Sequence, residues 1–163
     1  MLKNEIRKDK LFQDLISVLE PIGIDIVAVN SVDLHGSVNV SLIIRKKTET
    51  ETVNDCAEVY NIVYPRLSVR YESRNLNLEV STPGIQRVFK DYYEFELFVG
   101  KRCRIYDDGR NGTFSGIIES SDNDIVVLSD WKNEDTGESG ERLEISFADV
   151  HKAKLDYKWE DVR

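Results

Sequence analysis

The segment from Leu76 to Lys90, with the sequence LNLEVSTPGIQRVFK, constrains the architecture of the chain more than any other stretch. It begins with apolar and polar residues in alternation, the period of two that places one side of a strand on a core. Pro83 and Gly84 then end the strand, because proline removes a backbone donor and glycine permits a sharp turn. Mixed helix and strand patterns precede this segment, and short strand patterns follow it. The segment therefore predicts a junction between two domains.

Residues 1–84 have the pattern of a small α/β domain. An amphipathic helix is predicted from Asn4 to Leu19, where apolar residues recur every three or four positions. Two alternating stretches follow, Ile24 to Val32 and Val38 to Ile44, and the short polar turn between them indicates a hairpin.

A second helix is predicted between the hairpin and the junction. Thr52 can cap its first turn, and Pro65 inside the pattern is expected to kink or break it. The strand that leads into the junction comes next. The order α-β-β-α-β predicts an α+β protein whose first domain has a three-stranded sheet with two helices on one face.

Residues 91–163, which follow a linker of residues 85–90, are dominated by short strands. One short helix is predicted from Asp91 to Phe98, and Gly100 is expected to end it. Five strand patterns follow at close spacing, and Trp131 to Gly140 indicates a longer acidic loop between two of them. This pattern predicts a C-terminal SH3-like or Sm-like β-barrel.

The net charge of −8 is distributed unevenly along the chain. Residues 1–90 carry 12 Lys and Arg against 12 Asp and Glu, whereas residues 91–163 carry 10 against 18. A uniformly basic nucleic-acid-binding protein would not have this balance. The acidic half is suited to a basic protein partner through long-range attraction. Acidity that only maintains solubility explains the same numbers equally well.

No catalytic constellation is evident in the sequence. His35 and His151 have no Cys or second His at ligand spacing, so neither a metal site nor a cofactor is predicted. The GxxG pattern at Gly109–Gly112 falls between two strands, which favours a hairpin turn over a nucleic-acid-clamping KH loop. Cys56 and Cys103 fall in different predicted domains and are interpreted as small apolar residues. The chain is therefore not predicted to be an enzyme or to bind a small-molecule substrate.

Apolar runs in the chain are only a few residues long, far short of the roughly 20 that span a bilayer. The charged N-terminus is not followed by the apolar core of a signal peptide. We therefore expect no association with a membrane and a cytoplasmic location.

Positively charged residues in the first half of the chain are candidates for contact with phosphate groups. Arg66, Arg70 and Arg74 recur every four residues and would form a stripe along the second helix as far as that helix persists. The alternative is a solvated helix face whose charges pair with nearby Glu side chains. The candidates for contact with RNA are Arg45, Lys46, Lys47, Arg66, Arg70, Arg74 and Lys90.

The stretch LEVSTPGIQRVFKDYYEFELFVGKRCRIY, which starts at Leu78, resembles the central signature of the RimP ribosome maturation factor family. Downstream, Gly116 and the stretch from Ile145 to Leu155 resemble barrel strands of that family, so the resemblance extends over nearly the whole chain. Val88 stands where the family usually has a proline, which predicts a less stiff linker. The signature residues at the junction are Ser81, Pro83, Gly84 and Arg87.

The resemblance implies an N-terminal α/β domain, a C-terminal Sm-like barrel and a non-catalytic role in ribosome assembly. A factor of this family binds the immature small (30S) ribosomal subunit and assists the incorporation of a basic ribosomal protein. With the charge distribution, this suggests a cationic face for rRNA and an acidic barrel for the protein, with Arg87 anchoring one domain to the other. A monomer is expected. The alternative is a free-standing Sm-like RNA-binding protein, which would form a hexameric or heptameric ring.

Overall fold

The computed structural model describes residues 2–47, 53–72 and 74–156. Most elements that the sequence predicts are present, with different ends. The predicted cap at Thr52 lies outside the described residues.

The chain divides into two compact units. The first, called here the α/β unit, contains Glu5–Pro83. The second, called here the β unit, contains Gly84–Arg163 together with Met1–Asn4. The division after Pro83 falls inside the segment that the sequence indicates as the junction, and residues 85–90 are grouped with the β unit.

The α/β unit consists of two helices and a three-stranded sheet. Its elements are α1 (Lys10–Leu19), β1 (Ile24–Leu34), β2 (Ser37–Lys46), α2 (Val53–Arg70) and β3 (Asn75–Ser81). The strands lie in the order β1-β2-β3, with β1 antiparallel to β2 and β2 parallel to β3. Neither α2, the longest helix, nor any other described helix is long and apolar enough to cross a membrane.

Helix α1 begins later than the periodicity predicts. The side chain of Asp9 accepts a hydrogen bond from the backbone nitrogen of Phe12 at 3.0 Å, so the helix starts at Lys10 rather than at Asn4. After the helix, Gly23 adopts the left-handed conformation with a φ of 79°. This conformation ends the helical turns and directs the chain into β1.

Helix α2 continues through Pro65 without interruption, so the expectation of a break there is wrong. The proline removes the donor that would bond to the carbonyl of Asn61, one turn earlier. Both residues are exposed, so water can satisfy that carbonyl on the solvent side of the helix. The opposite side of α2 is fully buried at Val59, Val63 and Leu67.

The β unit consists of one short helix and five strands. Its elements are α3 (Tyr93–Leu97), β4 (Arg102–Asp107), β5 (Gly112–Ser121), β6 (Ile125–Asn133), β7 (Ser139–Ser146) and β8 (Val150–Leu155). The strands form one antiparallel sheet in the order β7-β6-β5-β4-β8. As predicted, Gly109–Gly112 joins two strands, and a single 3-10 turn connects β7 to β8. Helix α3 is shorter than the predicted Asp91–Phe98.

The stretch Trp131–Gly140, predicted as a longer loop, is strand at both ends, so the loop itself is only five residues long, 134–138, and the predicted length is wrong. The side-chain oxygen of Asn133 accepts hydrogen bonds from the backbone nitrogens of Asp135 and Thr136 at 2.8 and 3.2 Å. Gly137 adopts a φ of 80°, which closes the turn. Pairing between β6 and β7 therefore extends almost to the turn itself, despite the acidic composition.

Residues Arg87–Phe89 extend the β-unit sheet beyond β8. The backbone nitrogen of Phe89 donates to the carbonyl of Ala153 at 2.9 Å, and that of Leu155 donates to the carbonyl of Arg87 at 2.9 Å. Val88 forms an antiparallel bridge with Lys154. The edge of β8 that faces away from β4 is therefore occupied by the chain itself.

The first residues of the chain also belong to the β unit. The backbone nitrogen of Lys3 donates to the carbonyl of Lys90 at 2.9 Å, and the backbone nitrogen of Tyr92 donates to the carbonyl of Lys3 at 2.9 Å. The side chain of Leu2 is buried. The chain thus starts in the β unit, forms the α/β unit and then returns.

Gly116 lies where β5 approaches β6 most closely. A Cβ atom at this position would lie 3.0 Å from the carbonyl oxygen of Ser129 and 3.2 Å from Cβ of Leu128. We expect Gly116→Ala to lower the free energy of unfolding by about 1–3 kcal/mol, because backbone and core atoms must move to admit the methyl group. Urea unfolding followed by tryptophan fluorescence measures this change.

Gly84→Ala is the matched control. A Cβ atom at Gly84 would meet no atom within 4 Å, and the residue does not have a left-handed φ. Its free energy of unfolding should stay within about 0.5 kcal/mol of the parent value. Equal losses in the two variants would contradict the packing argument.

Candidate functional site

The signature residues at the junction occupy the end of β3 and the turn that follows. Ser81 is the last residue of β3 and lies opposite Ile43 of β2. Pro83 and Gly84 stand on either side of the division between the units. The turn is closed by a hydrogen bond from the backbone nitrogen of Arg87 to the carbonyl of Gly84 at 3.1 Å. Gly84 does not use the left-handed conformation here.

Arg87 forms a buried ion pair with Glu94, a residue that sequence reasoning missed. Nε of Arg87 donates to Oε1 of Glu94 at 2.8 Å, and the side chains are 12% and 1% exposed. The other carboxylate oxygen, Oε2, accepts hydrogen bonds from the backbone nitrogens of Lys90 and Asp91 at 2.6 and 3.0 Å. One carboxylate therefore ties the turn, the following chain and α3 together.

Aromatic side chains of α3 and of the chain on either side of it pack against one another and against Phe147. Phe89 contacts Phe95 edge-on with ring centroids 4.9 Å apart, and it stacks on Phe98 at 5.5 Å. Tyr92 stacks on Phe147 at 4.5 Å, and its hydroxyl donates to the carbonyl of Phe147 at 3.0 Å. The sequence signal for Glu94 was its position among these aromatics, since an acid within an apolar helix usually has a buried partner.

The Arg87–Glu94 pair lies wholly within the β unit. Nη2 of Arg87 is also buried, and it has no hydrogen-bond partner among the described residues. The pair thus holds the chain that leaves Gly84 against the β unit. An additional role of Arg87 in fixing one domain against the other stays a prediction.

On the α/β unit, the predicted arginine stripe is held by an aspartate of the first helix. Nε and Nη2 of Arg66 donate to Oδ1 of Asp14 at 3.2 and 2.9 Å, and Nη1 of Arg70 lies 4.0 Å from Oδ2. The hydrogen bonds from Arg66 lower the pKa of the Asp14 carboxyl below its ordinary value of 3.8, against the opposing effect of burial. The two arginines meet at one carboxylate, which lies on α1 and is not one of the nearby Glu side chains that the alternative expected.

Three of the four remaining cationic candidates of the α/β unit also meet carboxylates. Nη1 of Arg74, which lies beyond the end of α2, pairs with Asp33. Nζ of Lys46 lies 3.5 Å from Asp55, and Nζ of Lys47 lies 3.6 Å from Asp25. Arg45 is half-buried on β2. The structure thus distributes these candidates over several ion pairs rather than one open basic patch.

Lys90 stands apart from the other candidates because it lies on the β unit. Its side chain is exposed, while its backbone nitrogen and carbonyl bond to Glu94 and Lys3. No group of three or more His, Cys, Asp and Glu side chains in the part of the chain that the structure describes could hold a metal ion. Of the two cysteines, Cys103 is buried and Cys56 is half-buried; burial raises the pKa of the Cys103 thiol.

A model of the RimP N-terminal domain matches residues 15–86, which run from α1 to the turn after the junction. A protein of Borrelia turicatae named "Ribosome maturation factor RimP" is 26% identical over 150 residues, or 92% of this chain and 96% of the relative. A protein of the same name from Borrelia hermsii is 25% identical over 150 residues, with the same coverage. These matches support membership of the RimP family.

Among solved structures, a protein described as a novel Sm-like archaeal protein from Pyrobaculum aerophilum aligns with a TM-score of 0.37. The sequences are 18% identical, and the alignment covers 40% of this chain and 51% of that protein. The RimP relatives align with 92% of this chain, and therefore with residues of both units.

The buried ion pair between Arg87 and Glu94 can be tested by removing one charge while keeping the shape. Glu94→Gln leaves the guanidinium of Arg87 buried without a counter-charge, and we expect it to lower the free energy of unfolding by about 3–5 kcal/mol. Urea unfolding monitored by tryptophan fluorescence measures the loss.

Arg142→Gln and Glu144→Gln are control variants for the same measurement. These residues form an exposed ion pair at 3.1 Å in the same unit, with side chains 62% and 53% exposed. Such a pair contributes at most about 1 kcal/mol. A loss for Glu94→Gln no larger than that of the controls would show that the buried pair does not stabilise the unit.

Proposed function

We propose that this chain is a non-catalytic ribosome maturation factor that acts in the cytoplasm. It binds the immature small (30S) ribosomal subunit and assists its assembly, including the incorporation of a basic ribosomal protein. The observation that carries this proposal is the match to proteins named "Ribosome maturation factor RimP" over 96% of their length. Because both units are covered, the proposal applies to the whole chain rather than to one shared domain.

The proposed architecture is an α/β domain followed by an Sm-like barrel. Two contacts support it. Asp14 of α1 meets Arg66 of α2, as expected if both helices cover one face of the sheet. Nη2 of Arg110, in the turn between β4 and β5, donates to the carbonyl of Glu144 on β7 at 3.1 Å. Two strands separate β4 from β7 in the sheet order, so this contact favours a sheet that curves back on itself.

The ionisable groups of the chain support binding rather than catalysis. Glu94 and Asp14 are occupied by arginines, and buried Asp107 accepts from Nη1 of Arg110 at 2.6 Å. Carboxylates used in this way stabilise local structure and are not aimed at a substrate. We infer that the factor acts through its surfaces, by contacts with RNA and protein.

Charge favours a basic protein as one partner. The α/β unit carries 9 Lys and Arg against 12 Asp and Glu, and the β unit carries 13 against 18. Both units are therefore acidic when the compact division is used, although the sequence division at residue 90 made the first half neutral. A basic ribosomal protein would be attracted to either unit, more strongly to the β unit. Contact with rRNA then depends on local groups of cations.

A free-standing Sm-like RNA-binding protein is the alternative, and one observation disfavours it. A ring built by strand pairing is a head-to-tail assembly, in which each subunit offers both edges of its sheet. The edges here are β7 and β8, and Arg87–Phe89 already occupies the outer edge of β8. A neighbour would have to displace that segment.

The proposed function predicts selective binding to immature small subunits. The purified chain should co-sediment with small subunits from assembly-defective cells and far less with mature small or large subunits. Binding should weaken as salt increases, because charged contacts carry it. Binding to mature large subunits alone, or to no ribosomal particle, would overturn the proposal. A growth defect with accumulated small-subunit precursors in a deletion strain provides a second readout.

The covered edge of β8 predicts a monomer. Sedimentation-velocity ultracentrifugation should give the mass of a single chain, 18.8 kDa, across the concentration range tested. A hexamer or heptamer would instead favour the Sm-like alternative. Mixing the chain with immature subunits in the same experiment shows whether the monomer is the form that binds.

A further inference from the structure

The outer face of the β-unit sheet carries a row of cations that charge counting along the sequence did not reveal. Arg104 of β4 lies between Lys154 of β8 and Ser115 of β5, and Ser115 lies opposite Lys132 of β6. Residues on adjacent positions of these strands, such as Ile105, are fully buried. Since side chains alternate across a sheet, the cations of the row point away from the core, whereas Ser115 between them is buried.

A second row runs beside the first. Tyr106 of β4 lies between Lys152 of β8 and Thr113 of β5. The Tyr106 hydroxyl and the side-chain oxygen of Asn111 are hydrogen-bonded at 2.6 Å, which holds the ring in place. The face thus places an oriented aromatic ring next to lysines, a combination suited to bases and phosphates.

These lysines differ from the cationic candidates of the α/β unit in their pairing. Among residues 2–47, 53–72 and 74–156, no carboxylate lies within 4.0 Å of Nζ of Lys132, Lys152 or Lys154. Lys132 and Lys152 are exposed, and Lys154 is half-buried.

Acidic side chains approach the first row at two of its described members: the Ser115 hydroxyl donates to Glu134, and Arg104 has two acids nearby. Nη2 of Arg104 lies 3.6 Å from Asp156 and 3.9 Å from Glu134, and the arginine side chain is 40% exposed. These are long contacts, and the guanidinium keeps donors for another acceptor. The row from Lys154 to Lys132 spans three strand spacings, or about 14 Å. That length matches several nucleotides at about 3.4 Å of rise each.

We propose that the outer face of β4 and β8 is an RNA-binding surface, in which Arg104, Lys132, Lys152 and Lys154 contact phosphates and Tyr106 stacks on a base. The proposal rests on the proposed function in one respect, because the natural ligand would then be rRNA of the immature small subunit. RNA fits this face better than an acidic protein does, because the ring of Tyr106 beside the lysines offers a surface on which a base can stack. An acidic unit can bind RNA in this way where cations are locally unpaired.

The test uses the full chain and a fluorescein-labelled single-stranded RNA of about 12 nucleotides and mixed sequence. Binding is measured by fluorescence anisotropy at several salt concentrations. The test variant is Lys152→Glu/Lys154→Glu. The control is Lys8→Glu/Lys10→Glu, which reverses two lysines at the same spacing on the exposed start of the α/β unit. Both variants change the net charge equally, and thermal melting confirms that each is folded.

The test variant should weaken RNA binding at least about tenfold. The slope of log affinity against log salt concentration should become shallower by about 0.7 for each phosphate contact that is lost. The control variant should change the affinity for RNA less than twofold. Lys152→Arg/Lys154→Arg, which keeps both positive charges, should bind RNA as the parent chain does. Equal losses in test and control variants would overturn the proposal, because long-range charge alone would then explain them. Displacement of the RNA by polyglutamate at equal charge would also overturn it, since the face would then bind any anion.

Tyr106→Leu tests the stacking role. Loss of one stacked base should weaken binding at least about fivefold, whereas Tyr106→Phe should retain it. Unchanged affinity in the leucine variant would show that Tyr106 does not take part in RNA binding.

Co-sedimentation with immature small subunits separates this inference from the proposed function. Suppose that the parent chain co-sediments and that Lys152→Glu/Lys154→Glu binds both the particle and the RNA as well as the control does. The proposed RNA-binding surface is then contradicted, whereas the proposed function is supported. If the parent chain fails to co-sediment but RNA binding depends on Lys152 and Lys154, the proposed function is contradicted and the proposed RNA-binding surface is supported.

Discussion

The carboxylate of Glu94 is the interaction on which the arrangement of the junction depends. Removing a carboxylate from water is unfavourable unless its oxygens find charged or hydrogen-bonded partners. Glu94 has both: the guanidinium of Arg87 on one oxygen and two backbone nitrogens on the other. Because those partners lie before α3 and Glu94 lies within it, the pair fixes the path of the chain between Gly84 and α3. The same path places Arg87–Phe89 along β8, so a local charge pair also determines which sheet edge is available to other molecules.

Alternation of apolar and polar residues predicted β1, β2 and β3, because period-two burial is a local property that survives in the final sheet. Short strand patterns at close spacing predicted the strands of the β unit. What the sequence did not indicate depends on contacts between distant residues. Asp9 rather than periodicity sets the start of α1. The parallel pairing of β2 with β3 depends on where α2 returns the chain. The hairpin around Gly137 depends on pairing between β6 and β7, which composition conceals.

The sequence was equally unable to predict which charged side chains of the candidate site would meet. Spacing along α2 correctly grouped Arg66 and Arg70, but it could not show that Asp14 from another helix would meet both. Counting charges in sequence halves described the C-terminal half as acidic, which is correct on average. A sheet, however, brings together residues from separate strands, so Lys132 and Lys154 join one row although 21 residues separate them. Average charge therefore describes long-range attraction, whereas binding depends on which cations remain without a carboxylate.

These two uses of charge can operate together in one small factor. Long-range attraction between an acidic protein and a basic partner acts over about a Debye length and needs no particular geometry. Contact with RNA acts at hydrogen-bond distance and needs cations whose donors are available. In the α/β unit, Arg66, Arg70 and Arg74 already meet aspartates, so RNA would have to compete with Asp14 and Asp33 for them. On the β unit the lysines of β8 carry no such cost, which makes the acidic unit the better place for a local RNA contact.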